Sequence, residues 1–195
     1  MDDHTETVAD RRAGKGAYSG YAQRDVPAED KELTHVGPGT ACGELMRRFW
    51  QPVILSEELA KFPVAIRILG EDLVAFRDGR GEVGVLHRHC SHRAASLEFG
   101  IVGERGIRCC YHGWLYDVDG TILETPGEPA DSRIRESFCH GAYPTCEKNG
   151  LVFAYMGPLD AQPPLPIRDT DDTPDNRIEA FSTYVPCNWL QQHEN

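Results

Sequence analysis

The sequence Cys90-Ser91-His92 is followed, after sixteen residues, by Cys109-Cys110-Tyr111-His112. Each segment offers one thiol and one imidazole, in the pattern C-x-H-x16-C-x-x-H. A C2H2 zinc finger pairs cysteine with cysteine and histidine with histidine, so the mixed pattern differs from it. Mixed pairs suit a site with two metal ions, in which the cysteines bind one ion and the histidines the other. A structural zinc site and four unrelated core residues are the alternatives.

Short apolar runs rich in β-branched residues surround these two segments and predict strands. The runs are residues 64–69, 73–76, 83–86, 114–118, 121–123 and 151–155. Glycine and acidic residues between neighbouring runs predict turns at 70–72, 78–81 and 119–120. Because the connections are short, we expect antiparallel strands and an all-β middle of the chain.

Helical signals lie at the two ends of this β region. From Thr40 to Trp50 apolar residues recur with helical spacing, and Thr40 is available as the N-cap, which predicts one short helix. Residues 158–176 are rich in proline and aspartate and predict a linker. After the linker, residues 177–186 alternate like a strand, and Asn188 resembles the N-cap of a further helix.

The composition excludes several classes of protein. The 195 residues carry 20 Lys and Arg against 31 Asp and Glu, a formal net charge of −11, which argues against a nucleic-acid partner. The apolar stretches are shorter than the ~20 residues of a membrane-spanning helix. The first residues lack a basic and apolar signal sequence, which predicts a cytoplasmic location. Residues 1–39 have little apolar periodicity and are predicted to form a mobile N-terminal arm.

Seven cysteines are present, and a reducing compartment favours metal ligands or core thiols over disulfides. Cys110 is interpreted as a spare core thiol. Among the other histidines, His87 and His89 are predicted to be solvated, whereas His35 and His140 are predicted to be structural.

The segments Cys90-Ser91-His92-Arg93 and Cys109-Cys110-Tyr111-His112-Gly113-Trp114 together resemble the cluster-binding loops of Rieske non-heme iron oxygenases. The resemblance extends over residues 40–195 and is closest to phthalate and phenoxybenzoate dioxygenase alpha subunits. Ser91 departs from the family, which usually has proline there. The resemblance implies an antiparallel β-sandwich of the Rieske type over residues 40–157, with a leading helix. Residues 177–195 would then be the first strand and helix start of an α+β catalytic domain.

The residues and the resemblance together imply a Rieske two-iron two-sulfur cluster. Cys90 and Cys109 would bind the inner iron, and His92 and His112 the outer iron. Thiolates stabilise ferric iron, whereas neutral imidazoles raise the reduction potential above that of an all-cysteine cluster.

Four further residues are expected to support the cluster. Tyr111 and Trp114 either pack over it or are ordinary core aromatics. Gly113 lets the second loop turn and brings backbone N–H groups towards the sulfurs. Arg93 contributes to a locally basic region that an acidic reductase surface could contact, although a solvated mixture of charges is an equal alternative.

The resemblance implies the electron-transfer part of an aromatic-compound oxygenase. Electrons would come from an NAD(P)H-dependent flavin or iron-sulfur reductase and pass to a mononuclear ferrous iron that activates oxygen. The ligands of that iron are expected after Asn195. This sequence is therefore expected to contain no complete catalytic site, and the chain alone is expected to be inactive. The full-length enzyme would be a homotrimer that acts on an aromatic substrate. A stand-alone Rieske ferredoxin is the alternative function.

Overall fold

The computed structural model describes residues 28–168, residue 171 and residues 177–194. The chain divides into two compact units, Met1–Lys31 and Glu32–Asn195, and all the described strands belong to the second unit. The strands are β1 (Trp50–Leu55), β2 (Val64–Ile68), β3 (Glu71–Arg77), β4 (Val83–His87), β5 (Ile101–Val102), β6 (Ile107–Arg108), β7 (Leu115–Tyr116), β8 (Ile122–Glu124), β9 (Ala142–Tyr143), β10 (Thr145–Lys148) and β11 (Leu151–Tyr155). The helices are α1 (Lys31–Thr34), α2 (Ala41–Met46), α3 (Ile134–Ser137) and α4 (Trp189–His193), and 3-10 turns cover Ser56–Leu59, Leu97–Phe99 and Leu159–Ala161.

The strands form three antiparallel sheets. Sheet A has the strand order β1-β11-β10, sheet B the order β2-β3-β4-β9, and sheet C the order β5-β6-β7-β8. The expectation of a mainly β, antiparallel fold is therefore confirmed. Among the described residues, no helix combines the length and the apolar character needed to cross a membrane.

Sheet B is the middle layer, because its two faces pack against different cores. Leu73 and Ala75 of β3 contact one buried cluster, which includes Val152 of sheet A. Val74 and Phe76 contact a second buried cluster, shared with sheet C. Successive side chains of a strand point to opposite faces, so a strand covered on both faces reads as a continuous apolar run. This explains the uninterrupted apolar sequence of residues 73–76.

A buried ion-pair bridge joins sheet C to sheet B. Asp78 directly follows β3 and Asp117 directly follows β7, and Arg80 Nη2 lies 2.8 Å from a carboxylate oxygen of each. Arg105 also pairs with Asp117, and the Gly106 N–H donates to Asp78 Oδ2 at 3.2 Å. Both aspartate side chains are buried, so the bridge fixes the position of one sheet on the other.

The start of helix α2 is confirmed, but the helix is shorter than predicted. The Thr40 hydroxyl accepts a hydrogen bond from the Gly43 N–H, as expected of an N-cap. The helix ends at Met46, and Trp50 begins β1, where it pairs with Tyr155 of β11. The predicted extension to Trp50 is therefore wrong, because sheet pairing takes up the backbone there.

Two further local predictions need correction. The turn predicted at 70–72 lies at Leu69 and Gly70, which both have positive φ, while Glu71 already pairs with Ile68. Residues 177–186, predicted as a strand, have no regular secondary structure. Alternating sequence is not sufficient for a strand, because the backbone groups need a neighbouring strand to pair with. The Asn188 cap is confirmed, since its side chain accepts from the Leu190 N–H at the start of α4.

Parts of the predicted arm and linker lie outside the described residues. Of the arm, residues 1–27 are not described, and residues 28–39 contain α1. Of the linker, residues 169–170 and 172–176 are not described, and residues 159–161 form a 3-10 turn.

Candidate metal centre

The first Cys/His segment is a tight loop that follows β4. The Cys90 N–H donates to the Ala95 carbonyl at 2.9 Å, and the Ala94 N–H donates to the Cys90 carbonyl at 2.8 Å. Ala94 has a φ of +55°, which closes this loop. The hydrogen bonds hold Cys90 and His92 within a single turn of backbone.

The second Cys/His segment is a similar loop that follows β6. The Cys109 N–H donates to the Trp114 carbonyl at 2.8 Å, and the Gly113 N–H donates to the Cys109 carbonyl at 3.0 Å. Gly113 has a φ of +75°, as expected of a glycine that turns the loop. The two loops thus belong to different sheets, since β4 lies in sheet B and β6 in sheet C.

The two loops bring their first cysteines together in the core. Cys90 and Cys109 are 4% and 3% exposed, and both belong to the buried cluster shared by sheets B and C. Burial raises the pKa of the Cys109 thiol, and the neighbouring Cys90 adds to this effect, whereas the backbone N–H groups of Tyr111 and His112 act to lower that pKa. Without a metal the thiol form is favoured, and a bound cation would reverse this preference.

The two predicted histidines also meet. The rings of His92 and His112 lie with centroids 4.7 Å apart, and the His92 ring stacks on Trp114 at 4.9 Å with an interplanar angle of 3°. His92 Nδ1 is buried and has no hydrogen-bond partner. Burial, followed by the nearby charges of His92 and Arg93, lowers the pKa of His112. The neutral imidazole, which is the form that binds metals, is therefore favoured at His112.

The residues predicted to support the cluster occupy different environments. Trp114 is buried, with 1% of its surface exposed, whereas Tyr111 is 62% exposed and its ring lies 3.7 Å from the His112 ring. Arg93 is exposed, beside His112. Cys110 is exposed, so its interpretation as a core thiol is wrong. Cys109 turns inward and its neighbour turns outward, because successive side chains alternate at the end of a strand.

Sequence reasoning missed two residues at this site. Tyr116 is fully buried, and its hydroxyl lies 2.9 Å from Cys90 Sγ. Its position two residues after Trp114 in an extended segment places both side chains on one face, which is the available sequence signal. His140 is buried behind the first loop, and its Nδ1 lies 2.6 Å from the Ser91 hydroxyl. No local pattern marks His140, because 49 residues separate it from Ser91.

These donors fit a two-iron two-sulfur cluster with mixed ligands. The buried thiols of Cys90 and Cys109 are adjacent, the two imidazoles are adjacent to each other, and His92 Nδ1 is a buried nitrogen without a partner. Within the part of the chain that the structure describes, no group of three or more His, Cys, Asp or Glu side chains forms a site for a single metal ion.

Comparison with known proteins identifies the domain. Residues 49–144 match the family model of the Rieske [2Fe-2S] domain. The chain carries a Rieske domain. This domain binds a [2Fe–2S] cluster, which confirms the predicted cofactor.

Similar proteins are oxygenase subunits, as the sequence resemblance implied. The chain is 61% identical over 188 residues to the tert-butanol monooxygenase / tert-amyl alcohol desaturase oxygenase subunit of Aquincola tertiaricarbonis. The aligned region covers 94% of this chain and 40% of that relative. It is 47% identical over 193 residues to the phenoxybenzoate dioxygenase alpha subunit of Ectopseudomonas oleovorans, and this alignment covers 91% of this chain and 47% of that relative. The Rieske chain thus spans less than half the length of these relatives.

A solved complex of the oxygenase and ferredoxin of carbazole 1,9a-dioxygenase contains a similar chain. The TM-score is 0.53 at 32% sequence identity, and the match covers 68% of this chain and 34% of that chain. The similarity therefore extends to the three-dimensional structure of the Rieske part.

Proposed function

We propose that this chain is the electron-accepting Rieske part of an oxygenase alpha subunit. The observation that carries the proposal is the meeting of two buried thiols and two neighbouring imidazoles at the tips of loops from different sheets. A stand-alone ferredoxin is the weaker candidate. The 61% identity covers 94% of this chain and so continues beyond residue 144, where the match to the Rieske family model ends.

In this proposal Cys90 and Cys109 bind one iron, and His92 and His112 bind the other. A cluster held by these four residues would supply one-electron redox chemistry, and the two neutral nitrogen ligands of His92 and His112 would raise its reduction potential. Cys90 and Cys109 would lose their thiol protons when they bind iron, and the positive charge of the metal would offset the cost of burying two thiolates.

The surrounding residues prepare this site for electron transfer. The Tyr116 hydroxyl lies 2.9 Å from Cys90 Sγ, and the backbone N–H groups of Tyr111 and His112 favour the charged form of the Cys109 thiol. Hydrogen bonds to the sulfurs stabilise negative charge and therefore favour the reduced state. Trp114 covers one face of His92 and excludes water there. His112 lies beneath the exposed Tyr111 ring, on the side that an electron donor can approach.

The proposal extends to the whole protein. We assign residues 40–157 to the Rieske domain with its leading helix, 158–176 to a linker and 177–195 to the start of a catalytic domain that binds mononuclear ferrous iron. A reductase with flavin or iron-sulfur groups, or a ferredoxin as in the carbazole 1,9a-dioxygenase complex, supplies the electrons. The full-length enzyme is a homotrimer in the cytoplasm, a compartment that suits seven unpaired cysteines.

Two substrate classes follow from the relatives. An aromatic compound is the first candidate, in line with phenoxybenzoate dioxygenase and carbazole 1,9a-dioxygenase. A tertiary alcohol is the second candidate, favoured by the 61% identity to tert-butanol monooxygenase. Incubating the full-length protein and its reductase with phenoxybenzoate or with tert-butanol, and measuring oxygenated product, separates the two classes.

The test of the electron-transfer function is the cluster itself. Protein purified without oxygen should contain two irons and two acid-labile sulfides per chain, and the reduced form should give an electron paramagnetic resonance signal with nitrogen couplings. His92→Ala should abolish the nitrogen-ligated signal, whereas His89→Ala, which alters an exposed histidine of the same loop, should keep it. One colourless metal ion per chain without sulfide would instead establish the zinc alternative.

A further inference from the structure

His140 is a buried histidine whose hydrogen bonds define its protonation. Its exposed fraction is 4%, and Nε2 lies 2.8 Å from the carbonyl oxygen of His87. A carbonyl only accepts, so Nε2 carries the proton and Nδ1 is left as an acceptor. Burial lowers the pKa of His140, which keeps the ring in this neutral form. The ring is thus fixed to the end of β4, immediately before the first loop.

Ser91 connects this ring to the first loop. The Ser91 hydroxyl lies 2.6 Å from His140 Nδ1, and because that nitrogen is an acceptor, the hydroxyl donates. Ser91 stands between Cys90 and His92, the two ligands that the first loop supplies in our proposal. A side-chain anchor at Ser91 therefore limits the movement of both neighbours.

Tyr116 connects the same ring to the cysteine sulfur. The rings of His140 and Tyr116 lie with centroids 4.5 Å apart, and Tyr116 is fully buried. A phenol hydroxyl can donate as well as accept a hydrogen bond. The phenol proton of Tyr116 is directed at Cys90 Sγ, 2.9 Å away, because a metal-bound thiolate only accepts.

We propose that His140 is a positioning residue that raises the reduction potential of the cluster, by holding Ser91 and the Tyr116 hydroxyl against Cys90. The inference rests on the proposed function, in which Cys90 is a ligand. His140 touches both groups that surround Cys90, one through a hydrogen bond and one through ring packing. Without the ring, the Ser91 hydroxyl and the His87 carbonyl lose their partners and the Tyr116 ring gains room to move. The hydrogen bond to the sulfur then weakens, and the reduced state loses more stabilisation than the oxidised state.

The test is a double-mutant cycle on the potential of the cluster-loaded protein, read by redox titration with electron paramagnetic resonance. His140→Leu should lower the equilibrium constant for one-electron reduction about tenfold, which is ~59 mV. Tyr116→Phe should lower it at least as far, and the double variant should fall no further than Tyr116→Phe alone. His193→Leu, which alters an exposed histidine of α4, is the matched control and should leave the potential unchanged.

A second pair of variants covers the case in which His140→Leu does not retain its cluster. Ser91→Ala removes one hydroxyl and should lower the potential in the same direction, whereas His140→Asn, which retains an acceptor for Ser91, should restore part of the loss. An unchanged potential in Ser91→Ala, or additive shifts in the cycle, would overturn the role of His140. Absence of a nitrogen-ligated signal in the unaltered protein would instead refute the proposed function, so the two failures are distinguishable.

Discussion

Replacing Asp117 by asparagine tests whether the buried ion-pair bridge holds sheet C on sheet B. Asp117 accepts hydrogen bonds from Arg105 Nε at 2.8 Å, Arg80 Nη2 at 2.8 Å and the Val118 N–H at 2.9 Å. Its side chain is 7% exposed, but those of Arg80 and Arg105 are 38% and 54% exposed, so water can solvate the arginines once the charge is removed. The free energy of unfolding lost in Asp117→Asn should lie between the loss for breaking a surface ion pair, at most about 1 kcal/mol, and that for breaking a buried pair, about 3–5 kcal/mol.

We expect Asp117→Asn to destabilise the protein by about 2 kcal/mol at pH 7. In a chain of this size that lowers Tm by roughly 4–8 °C, measured by circular dichroism on cluster-loaded protein. Burial by itself raises the pKa of Asp117, but the hydrogen bonds from Arg105, Val118 and Arg80 outweigh it and the net shift is downward. A lowered pKa in the folded state stabilises the fold above the unfolded pKa of about 3.9, and this contribution is lost as the pH falls through the folded pKa.

The Tm difference between the unaltered protein and Asp117→Asn should therefore shrink as the pH falls below about 4. Glu147→Gln is the control, since Glu147 pairs with Arg77 at 2.8 Å in a more exposed setting and should cost about 0.5 kcal/mol, or roughly 1–2 °C. A shift for Asp117→Asn no larger than that of the control, or a difference that persists undiminished well below pH 4, would refute the reasoning.

Three further predictions concern the loops and their support. His112→Cys should retain a cluster with a lower reduction potential, because an anionic thiolate replaces a neutral imidazole, and a redox titration checks this. Cys109→Ser should abolish iron and sulfide binding, whereas Cys110→Ser should leave both unchanged, since only Cys109 is buried beside the second thiol. Gly106→Ala should destabilise the fold by more than about 1 kcal/mol, seen as a lower Tm, because φ is +72° and a Cβ would lie 2.0 Å from the Tyr116 carbonyl oxygen.

The longer strands could be predicted because their pattern is local. β2, β4 and β11 coincide with apolar runs bounded by turn residues, and β3 reads as apolar on both faces because it is covered on both. β5, β6 and β9 have only two residues each, and their sequences have no period to detect. They exist because neighbouring strands align them, which is a long-range condition.

The candidate site also has features that the sequence predicts and features that it does not. The spacing around Cys90 and Cys109 indicated which residues offer sulfur and nitrogen donors, because residue type and short spacing can be read from the sequence. The spacing did not indicate that Cys110 points outward or that Tyr116 reaches Cys90, because both depend on the orientation of β6 and β7 within sheet C.

The sequence by itself determined the chemistry available: two thiols, two imidazoles, loops short enough to hold each pair, and antiparallel strands around them. Only the tertiary structure decided that the pairs meet, because one loop extends from sheet B and the other from sheet C. Their approach depends on the shared core and on the Asp117 bridge between the sheets. The tertiary structure also decided the position of His140, whose contacts with Ser91 and Tyr116 join segments far apart in the chain. Such contacts follow from the packing of whole layers, and no local preference of the backbone encodes them.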